Sequence, residues 1–178
     1  PLDAEGLRAF GREDGIIRDH LHLEPDRPAR HDRAEVAGAD LAERLAATRA
    51  ATLRLIAPLS EEDCQVQSMD DASPAKWHLA HTTWLFETFV LEAFEPGFMP
   101  FDADYRMLFN SYYHAIGPQH ARPRRGLITR PSLREVLRYR ADVDARVLRL
   151  LERSDGPPQL RQLVWLGVQH EQQHQELL

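Results

Sequence analysis

His170 and His174 stand four residues apart in the closing segment "LVWLGVQHEQQHQELL". On a helix, positions i and i+4 lie about 40° apart around the axis and roughly 6 Å apart along it, so both rings project the same way. Such a pair can hold one metal ion from one side. His170-Glu171-Gln172-Gln173-His174 also fits the H-E-x-x-H pattern of zinc peptidases, in which the intervening Glu is the general base. Those peptidases draw their third ligand from downstream, where only Gln175, Glu176, Leu177 and Leu178 follow. Glu176 sits about 200° around the helix from His174 and faces away. A third ligand is therefore expected upstream.

The segment "KWHLAHTTW" offers His78 and His81, about 60° apart on a helix. His81 falls in line with Trp77, Trp84 and Thr88, the stripe expected inside, and is the favoured ligand. His78 sits nearer the edge and is assigned a structural or supporting role. His114 in "SYYHAIG" and His120 in "PQHARP" are expected to meet solvent, a loop carbonyl or a substrate. His20, His22 and His31 follow no strong pattern and are expected to be solvated. Three neutral imidazoles leave a divalent ion its full charge and open positions on one side, the layout of a catalytic rather than a structural centre. Imidazole accepts Zn, Fe, Ni or Cu, so the donor set does not fix the metal. The alternative for the pair on the last helix is that each ring hydrogen-bonds a Tyr or a carboxylate in the core.

Helices must position these residues. From Asp40, Leu41, Leu45, Thr48, Thr52 and Leu55 with Ile56 repeat every three to four residues until Pro58. Ser73 as cap and Pro74 in the first turn open a strongly apolar helix reaching Phe94. A third helix is expected from Asp104 to Gly117, and the proline-rich "PQHARPRRGLITRP" is expected not to be helical. Ser132 and Glu135 form a capping box for a fourth, whose core stripe is Val136, Tyr139, Val143, Val147, Leu150 and Leu151. After Gly156-Pro157-Pro158 comes the last helix, with Leu163, Leu166, Gly167, His170, His174 and Leu177 on one stripe. No strand-like alternation or internal repeat stands out. The fold class is all-α, most simply a four-helix bundle over 39–178, preceded by a polar, Gly- and Pro-interrupted extension over 1–38 with a short helix around Leu7 to Phe10.

The 178 residues give room for one ordinary domain, and 43% hydrophobic content places it in the globular class. A net charge of -6 argues against a nucleic-acid partner. No apolar run approaches a membrane span and no secretory signal opens the chain, so a cytoplasmic location is expected. Cys64, the single cysteine, excludes an internal disulfide framework and is expected to be half-buried and structural.

Taken together, "SPAKWHLAHTTWLFETFVL", "LFNSYYHAIGPQHARPRRGLITRPS" and "GVQHEQQHQELL" resemble the N-terminal DinB-like domain of the EgtB-type sulfoxide synthases of ergothioneine biosynthesis, from about Asp40 onward. The resemblance implies a non-haem Fe(II) enzyme that uses O2 to join a cysteine-type thiol, cysteine or γ-glutamylcysteine, to the imidazole C2 of hercynine. It implies His81, His170 and His174 as iron ligands and Gln173 as a hercynine contact. Among the basic residues Arg122, Arg124, Arg125 and Arg130, Arg122 and Arg125 are the candidates to bind the carboxylates of the thiol substrate. The resemblance also implies a C-terminal domain similar to formylglycine-generating enzymes that supplies a catalytic Tyr, so the 178-residue chain is expected to be incomplete and to turn over poorly alone. The alternatives are a stand-alone DinB-like metal-dependent thiol transferase or hydrolase, and a 5-histidylcysteine sulfoxide synthase, which shares the iron motif. A non-enzymatic docking bundle with satisfied core histidines is a third.

Overall fold

The computed structural model describes residues 38–111, 113, 115–153 and 156–178, and every regular element among them is helical. Residues 1–37 of the extension, with the expected short helix around Leu7 to Phe10 and with His20, His22 and His31, lie outside the described residues, as does His114. Helix α1 spans Gly38–Ile56. Helix α2 spans Ala75–Phe86 and continues through a π turn over Glu87–Leu91 into a last turn at Glu92–Phe94. Helix α3 is the short Tyr105–Leu108, α4 is Leu133–Leu151 and α5 is Pro158–Gln175. The four long helices form the bundle: α1 packs on α5, α2 packs on both α4 and α5, and α1 closes against α4. No described helix is long and apolar enough to cross a membrane.

Helix α1 buries Leu41, Leu45, Thr48, Thr52 and Ile56, the expected repeat. Leu55 is instead 49% exposed, because it sits about 100° off the stripe that Ile56 completes. Helix α2 is buried on every side from Lys76 to Leu91, which is why its sequence shows no polar face. Its start differs by one position from expectation. Pro74 occupies the cap, and the Ser73 hydroxyl instead accepts a hydrogen bond from Arg125 Nη1 at 2.9 Å. In α4 the capping box forms as expected: Glu135 N donates to Ser132 Oγ at 3.3 Å and Ser132 N to Glu135 Oε2 at 2.8 Å. Its buried stripe is the expected one, with Arg140 added. Leu177 lies beyond the end of α5 and is exposed rather than on the core stripe.

The third helix is much shorter than its pattern suggests. It stops at Leu108 because Asn110 Nδ2 donates to the carbonyls of Tyr113, Gly117 and Pro118 at 3.2, 3.1 and 3.3 Å, a side chain competing with the helix for backbone partners. The carbonyls at its end serve α2 instead: Leu108 O accepts from Trp77 Nε1 at 3.2 Å and Phe109 O from His81 Nδ1 at 2.6 Å. The proline-rich segment contains a 3-10 turn at Arg122–Leu127, a correction to its expected lack of helix. Lys76 Nζ pins the residues that follow, donating to Ile128 O at 2.9 Å and Pro131 O at 2.8 Å. Cys64 is fully rather than half buried, and burial pushes its thiol pKa up, so it is structural.

Helices α2 and α5 meet where α5 has no side chain. A Cβ on Gly167 would lie 2.5 Å from the Phe86 ring, which is itself wholly buried. Gly167→Ala is expected to cost about 1–3 kcal/mol by overpacking, against a helix-propensity gain of about 1 kcal/mol. Urea denaturation checks this; stability at or above that of the parent would mean that α5 shifts freely against α2, and with it His170.

Candidate metal centre

Helix α2 delivers His81, and α5 delivers His170 and His174. Their ring centroids lie 5.0 Å (His81 to His170), 4.9 Å (His81 to His174) and 4.5 Å (His170 to His174) apart. One nitrogen from each lies within 4.8 Å of the other two, so the three could hold one metal ion. Bonds of about 2.1 Å to one ion place imidazole nitrogens about 3–3.5 Å apart, a separation that modest side-chain rotation reaches from here.

The donor chemistry fits such an ion. His81 Nδ1 faces the Phe109 carbonyl, which only accepts, so Nδ1 carries the proton and Nε2 keeps a lone pair. His174 Nδ1 is engaged at 2.7 Å by His78 Nδ1. His170 Nδ1 is buried with no hydrogen-bond partner, and neither a Tyr nor a carboxylate satisfies it as the core alternative required.

Aromatic rings set the orientation of His81. Trp77 stacks on it at 4.5 Å and 13°, and Trp84 at 5.5 Å and 16°. These two residues are one turn before and one turn after it on α2, so the imidazole is held between indoles. Arg125 lies over the far face of this stack, its guanidinium 3.5 Å from the Trp77 ring centroid.

Glu171 does not join the histidines. One position on from His170, it turns about 100° away and is wholly buried among α1 and α4. It accepts from Arg49 Nη1 at 2.5 Å, from Thr52 Oγ1 at 2.6 Å and from Arg140 Nη2. Arg49 is shared with Asp144, whose Oδ1 accepts from Arg49 Nε at 2.8 Å. Desolvation alone would raise the Glu171 pKa, but Arg49 and Arg140 outweigh it and hold the carboxyl below its ordinary range. A carboxylate so engaged is not positioned as the general base of a metallopeptidase. Sequence reasoning passed over Arg49 and Arg140, although each stands four residues after a buried apolar residue, Leu45 and Val136.

His78 is buried, 5% exposed, rather than at an edge. Gln173 is half-buried beside His174. Arg125 is buried, with Nη1 on Ser73 Oγ and Nη2 on Ser111 Oγ at 2.9 and 3.4 Å. Arg122 is half-buried and donates to Asp71 O at 3.3 Å. Both guanidiniums act electrostatically on His78, and Arg125 also on His81 and His174, so this end of the centre is positive. His120 Nε2 donates to the loop carbonyl of Arg124 at 2.9 Å, one of the roles expected for it.

Burial depresses all four imidazole pKa values, to about 4 for His78 and His170, and holds His81 and His174 well below the ordinary imidazole value. Neutral rings are the form that binds metal. Because the folded pKa lies below the ordinary 6.5, the unfolded chain takes up protons first as pH falls. The metal-free protein should therefore lose stability progressively from about pH 6.5 to pH 4, read by urea midpoints; a flat profile would mean the rings protonate without penalty.

A search of curated proteins gave no match. The family description "DinB superfamily" matches residues 44–178, most of the sequence and all of the site. With its helical bundle and its histidines facing one another from α2 and α5, the chain belongs to the DinB superfamily.

Proposed function

We propose that the chain is the metal-binding part of a non-haem Fe(II), O2-dependent sulfoxide synthase that joins a cysteine-type thiol to hercynine, with His81, His170 and His174 holding the iron. The observation that carries this is the convergence of three imidazoles, His81 and His170 buried and His174 half-buried, drawn from the two segments whose motifs resemble those enzymes. Bound iron supplies a redox-active centre with open positions for reactants. The overall reaction balances without an external reductant: the thiol S–H and the imidazole C2–H are lost, a C–S bond forms, and one O2 yields the sulfoxide oxygen and one water. Of the chain's own residues, Arg122 and Arg125 supply positive charge suited to substrate carboxylates, and Gln173 a polar contact suited to hercynine. Arg125 would have to exchange its bonds to Ser73 and Ser111 for a carboxylate, whereas half-buried Arg122 is nearer to solvent.

The test is O2 uptake and product analysis after anaerobic loading with Fe(II), with hercynine and either cysteine or γ-glutamylcysteine, on this chain and on any longer product of the same reading frame. Iron-dependent O2 consumption with C–S bond formation at imidazole C2 is expected. A bond at C5 would favour the 5-histidylcysteine synthases. Thiol transfer or hydrolysis with Zn or Ni and no O2 uptake would favour a metal-dependent transferase or hydrolase and overturn the proposal.

A further inference from the structure

A fourth imidazole stands behind the three. His78 Nδ1 lies 2.7 Å from His174 Nδ1, a distance at which one nitrogen must donate and the other accept. That contact occupies His174 Nδ1, so Nε2 is the nitrogen His174 has left for a cation, and Nε2 keeps its lone pair only where the proton between the two rings belongs to His174. His78 then accepts on Nδ1 and carries its own proton on Nε2.

We propose that His78 is a positioning residue: through its Nδ1 accepting from H–Nδ1 of His174, it fixes His174 in the tautomer that offers Nε2 to a cation, a role that rests on the reading of His81, His170 and His174 as ligands. The Phe109 carbonyl does the same for His81. His78 on α2 and the Phe109 carbonyl just after α3 thereby each set one donor nitrogen of the centre.

The tautomers can be read directly in the metal-free parent by long-range 1H–15N NMR of its histidines. His174 is expected as Nδ1–H and His78 as Nε2–H; His174 found as Nε2–H would overturn the proposal without any variant being made. Two substitutions give an independent reading with Co(II) and Fe(II) as probes. His78→Phe removes the acceptor and should weaken metal binding about 10–100-fold, whereas His78→Asn places a carbonyl oxygen near the former Nδ1 and should recover most of the affinity. Equal affinity in His78→Phe and parent, or a folded His78→Asn as weak as His78→Phe, would refute the role. A parent that binds neither metal would remove the centre itself, while the NMR result would still decide the hydrogen-bond chain.

Discussion

His170→Ala is expected to bind no Fe(II) or Co(II) at concentrations that saturate the parent. The substitution leaves two imidazoles, and the open positions on one side of the ion have no other described His, Cys, Asp or Glu placed to fill them. A ligand specific for the folded state stabilises it by mass action, about 2.7 kcal/mol at one hundred times its Kd. The parent should therefore gain that stability from metal and the variant none of it. In the metal-free state the variant should change little, because the buried, unpartnered His170 Nδ1 that it removes is a cost to the fold, offset by the cavity left behind. Metal analysis and urea midpoints with and without Fe(II) check both halves. His78→Ala, by contrast, should keep one ion per chain with reduced affinity; loss of stoichiometric binding there and its retention in His81→Ala would reverse the assignment on α2.

The second large effect lies one residue away and on the other side of α5. Glu171→Ala leaves the buried Arg140 guanidinium with only the hydroxyls of Thr82 and Thr83 at 3.2 and 3.5 Å, and the buried Arg49 with Asp144 as its one remaining carboxylate. Breaking a buried ion pair by removing one partner costs about 3–5 kcal/mol, a large share of the net stability of a domain this size. Urea denaturation should show such a loss, and a change below about 1 kcal/mol would mean that water reaches the arginines. Glu171→Gln keeps an acceptor and should fall between the two. It should also bind metal with the parent's stoichiometry, since the carboxylate faces away from the histidines; a Glu171→Gln protein that folds but takes up no metal would return Glu171 to the centre.

Much of this arrangement can be read from the sequence, for identifiable reasons. The stripes of α1 and α4 follow a simple three-to-four repeat, and the Ser132–Glu135 box marks where α4 begins. His170 and His174 project together because an i, i+4 pair leaves them no choice. The pattern of α2 alone does not separate His81 from His78. Helix α2 is buried all round, so an inward stripe does not discriminate there, and His78 at 5% exposure is nearly as buried as His81 at 2%. What separates them is tertiary: His81 faces His170 and His174 across the bundle, while His78 meets the back of His174.

Other features depend on partners far away in the chain. The residues after Leu108 keep a helical period, yet their fate is decided by Asn110 binding three carbonyls and by Trp77 and His81 claiming two more. A lone Arg inside an apolar stripe, such as Arg49 or Arg140, looks like a misplaced surface residue until its counter-charge on another helix is seen. The available signal was collective: Arg49, Arg140 and Glu171 each follow a buried Leu45, Val136 or Gly167 by one helical turn, on three different helices. Arg125 shows the same limit. Its place in a basic run suggests an exposed loop, but its guanidinium lies 3.5 Å from the Trp77 ring centroid and the residue is 2% exposed.

X-ray absorption at the iron edge of the anaerobically Fe(II)-loaded chain tests the shared centre most directly. Three imidazole scatterers on one ion per chain, with the remaining positions filled by light exchangeable ligands that a thiol displaces, is the predicted result. An ion bound by fewer than three imidazoles, or a folded chain that takes up no iron, would contradict it.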